Sequence, residues 1–147
     1  MKKILPGSFT PARVIAIATA FSFLLLLQAC SNKVAFNTST VIPTAEGAVK
    51  VNRDNNNNYS IDIHIKHLAD PRKLVPAKTT YVVWAETSDG TKNIGQLKTS
   101  TGLLSSTYKS SLKTVTPFKP TMIFITAEDE ATIQSPGAQV VMTTNNF

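Results

Sequence analysis

The chain has 147 residues, 42% of them hydrophobic and 16% charged, with a formal charge of +6, one cysteine and two histidines. A single cysteine excludes an internal disulfide, and two histidines leave too few ligands for a zinc site, which needs three or four. The Lys and Arg residues are spread along the chain rather than clustered, so the charge is not a nucleic-acid footprint and no nucleic-acid partner is expected.

Lys2, Lys3 and Arg13 make the N-terminal region positive, and residues 14–27 read VIAIATAFSFLLLL, without a charge. A spanning helix needs about 20 apolar residues, whereas a core of ~10–14 suits a secretion signal. The run stops at Leu27-Gln28-Ala29-Cys30. These four residues resemble the bacterial lipoprotein signal, in which the chain is cut between Ala29 and Cys30 and the Cys30 thiol is acylated. The resemblance implies several acyl chains on Cys30, enough to hold the protein at a membrane without a helix. The alternative is an uncleaved signal anchor, but extending the segment back to a spanning length takes in Arg13. Ser31 rather than Asp follows Cys30. By the enterobacterial version of the retention rule, this places the protein at the outer membrane if the cell has one. Removal of residues 1–29 leaves twelve basic against nine acidic residues, a formal +3. Mild attraction to anionic lipid or polysaccharide is one meaning of that charge, and a solvated surface is the plainer one.

Residues 31–45, SNKVAFNTSTVIPTA, are rich in Ser, Thr and Asn. They read as a flexible tether between anchor and domain, with a reach of ~20 Å. A first strand over residues 34–42 is the alternative. From residue 46 to 147 the pattern is that of one all-β domain. AVKVN and YSIDIHIKHL alternate apolar with polar residues around an RDNNNN turn, which makes a hairpin. LADPRKLVPAK, with Pro71 and Pro76, is a crossing loop with room for one helical turn. TTYVVWAET is β-branched and aromatic on both faces, which suggests a central strand. SDG turns the chain into KNIGQLKT, and a weaker strand lies within residues 102–112. TMIFITAED, an SPG turn and AQVVMTT complete the pattern. About seven short strands without a long amphipathic helix predict a single Ig-like antiparallel β-sandwich. An aromatic final residue, Phe147, is common in outer-membrane barrels, but seven strands with one polar face are too few for a barrel.

Tyr81, Trp84, Asp89, Gly90, Ile94, Gly95 and Leu97 carry a Tyr-x-x-Trp, Asp-Gly, Ile-Gly pattern. Ile125, Thr126, Glu128, Pro136, Gly137, Val140 and Val141 carry an apolar strand with an acidic end, a Pro-Gly turn and a Val-rich last strand. Together they resemble the extracytoplasmic domain of anti-sigma-K (RskA-like) factors. The resemblance implies the fold and the side of the membrane. Family members that control sigma factors have a cytoplasmic domain and a membrane helix before this module, whereas this chain has only a few residues before its signal core. Direct sigma-factor binding is therefore not expected.

No catalytic constellation stands out. No serine sits in a Gly-x-Ser-x-Gly elbow and no glycine loop is built to cradle phosphate. On a strand, His64 and His67, three apart, point to opposite faces and cannot share a metal unless the strand ends between them. Glu128, Asp129 and Glu130 read as a solvated acidic turn rather than a calcium site, so no metal or cofactor is expected. Trp84 has two readings: a core tryptophan packed between the sheets, or, with Tyr81, a surface ring for stacking sugars. The expectation is thus a non-enzymatic, lipid-anchored interaction or sensory module of the envelope, with a protein or glycan partner. A glycan-binding or glycan-modifying lipoprotein is the alternative.

Overall fold

The computed structural model describes residues 33–101 and 108–147. Ala29 and Cys30 lie outside the described residues, as does the part of the weak strand before Tyr108. Among the described residues there are nine strands: β1 (Lys33–Ala35), β2 (Glu46–Arg53), β3 (Tyr59–Lys66), β4 (Thr80–Thr87), β5 (Gly90–Gln96), β6 (Lys98–Thr101), β7 (Tyr108–Thr116), β8 (Met122–Glu128) and β9 (Val140–Thr143). They form two antiparallel sheets, β1-β2-β3-β7-β6 and β5-β4-β8-β9. In an immunoglobulin-type sandwich, β2, β3, β7 and β6 hold the places of strands A, B, E and D, and β4, β8 and β9 those of C, F and G. β5 is then C′, and β1 is an added edge strand.

The alternation of β3 sets the arrangement. Ile61, Ile63 and Ile65 are fully buried and pair across to Val51, Val49 and Gly47 on one side and to Thr114, Leu112 and Ser110 on the other. Tyr81, Val83 and Ala85 of β4 and Ile123, Ile125 and Ala127 of β8 meet them from the second sheet. Each fully buried isoleucine or valine among them contributes about 1.5–3 kcal/mol on burial. The turn between β2 and β3 is closed by Asp54, whose Oδ1 accepts the N–H groups of Asn56 and Asn58 at 2.8 Å, while Asn57 takes the left-handed φ of 64°. Pro71–Lys73 forms the short 3₁₀ turn in the crossing loop.

Three differences from the sequence reading are physical. Residues 33–45 are not a tether. β1 pairs with β2, Phe36 bridges to Thr144 beyond β9, and Phe36, Ile42 and Ala45 join the core. Ser39 pins the segment: its buried hydroxyl accepts the Ile42 N–H at 2.9 Å and donates to the Val141 carbonyl at 2.5 Å. Second, KNIGQLKT is not one strand. β5 ends at Gln96, buried Leu97 crosses between the sheets, and β6 continues in the other sheet. Gly95 permits this turn with φ at +131°, beside a register shift in the β4–β5 ladder. These two changes raise the strand count from about seven to nine. Third, Glu128 is not part of a solvated turn. It is 5% exposed, and its carboxylate accepts the Gly137 N–H at 2.7 Å, holding the loop that joins β8 to β9.

Candidate interaction surface

The two aromatic candidates for surface stacking are both buried, which corrects that reading. Trp84 and Tyr81 are 0% and 2% exposed. Tyr81 faces the space between the sheets, and its hydroxyl donates to the Ala69 carbonyl at 2.9 Å. Trp84 is not packed between the sheets either. It lies on the other face of β4 in a separate apolar cluster with Val82, Phe124, Met122 and Ile133. Its ring stacks on Phe124 at 6.3 Å between centroids, and its Nε1 donates to Thr126 Oγ1 at 2.8 Å. The β8–β9 loop covers it: Asn93 Nδ2 donates to the carbonyls of Ala131 and Ile133, drawing that loop across the sheet.

His64 lies on β3 with its Nε2 2.9 Å from Asp62 Oδ1, whereas His67 follows the strand in a left-handed backbone conformation and approaches Glu46 at 3.8 Å. Asp129 pairs with Lys78 at 2.7 Å. Among the described residues, no three His, Cys, Asp or Glu side chains converge as ligands.

A cleft of about 660 Å³ opens at one end of the sandwich, lined in part by Asp70, Arg72, Tyr81, Gln96 and Tyr108. Its Asp70 and Arg72 are already matched to each other: Arg72 donates to both Asp70 oxygens, at 3.0 and 2.6 Å, and Gln96 donates to Thr80 Oγ1, whereas Lys98 at the rim has no acid partner among the described residues. The Arg72 side chain and then its backbone N–H hold the Asp70 carboxyl down at about 2. Burial, with a smaller contribution from the charge of Asp70, pushes the Tyr81 phenol well above its ordinary value of 10. An acid whose pKa is raised by folding stabilises the fold below its unfolded pKa and loses that contribution as pH rises through the folded one. Stability should therefore fall above pH ~10, by up to about 1.4 kcal/mol per pH unit from this group. Tyr81→Phe should flatten that decline in urea unfolding measured between neutral and alkaline pH. An unchanged slope would remove Tyr81 as its source.

The feature that stands out is the solvent face of the larger sheet. Residues paired across antiparallel strands project to the same side. The register sets Lys33, Lys50, Asp62 and Lys113 in one row across β1, β2, β3 and β7. A second row holds Ala48, His64, Ser111 and Lys98, and a third holds Glu46, Lys66, Lys109 and Ser100. Neighbouring strands lie about 4.8 Å apart and alternate residues about 7 Å apart along a strand. Six of the twelve basic residues that follow residue 29 thus share one face with only two acids. Asp62 is partly satisfied within the face by Lys113 at 3.5 Å and by His64. The six lysines are exposed, and none but Lys113 has an acid within 4 Å among the described residues. The other sheet differs: its outer side is covered by the β8–β9 loop, which carries Asp129 and Glu130.

The reading of a charge spread without clustering therefore holds along the chain but not on the folded surface. Lysines 33, 50, 66, 98, 109 and 113 are far apart in sequence and are collected only by strand pairing. No family model, curated protein or solved structure matches the chain.

Proposed function

We propose that this chain is a non-enzymatic, lipid-anchored interaction module of the bacterial envelope, without anti-sigma activity of its own. In this reading Cys30 is acylated after cleavage behind Ala29, and the sandwich works outside the cytoplasm, at the outer membrane where one exists. The observation that carries it is the lysine-rich sheet face, a broad exposed surface with a charge surplus that the fold itself does not consume. The LQAC stretch supports the anchor. The likeness to RskA-like extracytoplasmic domains supports the same side of the membrane. A sugar-stacking role is less favoured, because Trp84 and Tyr81 are both buried.

The anchor is tested in cells with a clickable fatty acid. The wild-type chain should take up label, and Cys30→Ala should take up none and leave the membrane fraction. Equal labelling of the two would sink the anchor. Pull-down from detergent-solubilised envelopes, comparing wild type with a chain whose face lysines are reversed, tests the interaction surface. A partner retained equally by both would place the interaction elsewhere on the domain.

A further inference from the structure

We infer that the lysine-rich sheet face is a docking surface for anionic lipid, namely the headgroup layer of the membrane that holds the chain's own anchor. The inference deepens the proposed function and rests on it for the position of the anchor. Lys33 opens β1, the edge strand of that sheet, and stands three residues after Cys30. Three residues span at most about 11 Å however they are arranged. With Cys30 acylated, the β1 edge is held at headgroup level, so the adjoining face needs only to lie down on the surface.

The charge pattern suits that placement. The row of Lys33, Lys50 and Lys113 and the row of Lys66 and Lys109 lie about 14 Å apart along the strands. They cover an area of several lipid headgroups rather than a pocket for one. Lysine ammonium groups on flexible stems make no fixed bidentate geometry, which suits a mobile array of phosphates. Val115, 60% exposed, adds an apolar side chain one row beyond Lys113. Among the described residues the face carries no Tyr, Trp or Phe ring, because Tyr59 and Tyr108 fall on the alternate positions of β3 and β7. That favours lipid over polysaccharide as the anion. The face holds six lysines and two acids, and the rest of residues 30–147 holds six basic and seven acidic residues, so the sandwich also has a charge asymmetry that would orient it in a negative surface potential.

The test uses residues 30–147 with Cys30→Ser, so that no lipid contributes. The compact unit Asn32–Phe147 contains every core residue among the described residues and has no cysteine, so residues 30–147 are expected to fold without the leader. Co-sedimentation is measured with vesicles of phosphatidylcholine, alone or mixed with phosphatidylglycerol. Binding should require phosphatidylglycerol and weaken as salt rises above about 0.15 M, where charges are screened beyond ~8 Å. The combined variant Lys50→Glu, Lys66→Glu, Lys109→Glu, Lys113→Glu should bind at least about 100-fold more weakly. Its Trp84 fluorescence and far-UV circular dichroism should match wild type, because all four positions face solvent. Equal binding by the folded variant, or none by wild type, would overturn the inference. So would tighter binding of wild type to dextran sulfate than to phosphatidylglycerol vesicles, which would make the face a polysaccharide site. Because this chain carries no acyl group, failure here is distinct from failure of Cys30 labelling in cells.

Discussion

Trp84→Ala should bring the domain close to unfolding, with a loss of about 3–5 kcal/mol from a total stability of about 5–15 kcal/mol. Trp84 is fully buried, but its neighbours are not the inter-sheet core. It is the largest member of a small cluster on the outer side of β4, and the others are Val82 and Phe124, with Met122 and Ile133 at the margin. A small cluster cannot collapse to fill an indole-sized gap. The change also removes the donor to Thr126 Oγ1, leaving a fully buried hydroxyl without that partner. Trp84→Phe should cost less, because it keeps a ring against Phe124 and loses mainly the hydrogen bond. Urea unfolding followed by far-UV circular dichroism checks both. A loss below about 1 kcal/mol for Trp84→Ala would mean that the β8–β9 loop does not hold the ring under cover.

The strands legible in the sequence are those whose two faces differ consistently along their length. Residues 59–66 alternate without interruption, and β3 occupies that span. TTYVVWAET is apolar on both faces, and β4 is indeed central, between β5 and β8. What the sequence concealed is where a segment changes partner. In residues 33–45 the chain pairs with β2 and then moves to β9, so its buried residues, Phe36, Ser39, Ile42 and Ala45, fall at every third position rather than every second. Leu97 interrupts an otherwise strand-like stretch for the same reason. The two-sided burial of β4 did signal that something covers Trp84, but not that a loop does so. Ile133 in an otherwise polar loop was the available hint. The lysine face was the least legible feature. It depends on the register of four strand pairs, and no local pattern encodes register between β3 and β7, which lie more than forty residues apart.

Ile63→Asp should be the most disruptive single change on β3, and Asp62→Ala beside it nearly silent. Ile63 is fully buried, lies at the centre of its strand, and is flanked across the ladder by Val49 and Leu112. No cation or polar side chain on those flanking positions is available to a carboxylate there. Burying an unpaired carboxylate, or neutralising it, costs several kcal/mol, and the isoleucine's packing is lost as well. The sum approaches the whole stability of a domain this size. Asp62 lies on the other face, half-buried between His64 and Lys113. A surface pair of that kind contributes about 0–1 kcal/mol, and removing Asp62 takes nothing from the hydrophobic core. Its loss should therefore move stability by less than about 0.5 kcal/mol. Urea unfolding of residues 30–147 carrying each change decides the matter. Comparable losses at the two positions would mean that β3 does not divide into a buried and a wet face. The lysine face would then fall with it, because the same alternation that buries Ile61, Ile63 and Ile65 turns Asp62, His64 and Lys66 outward.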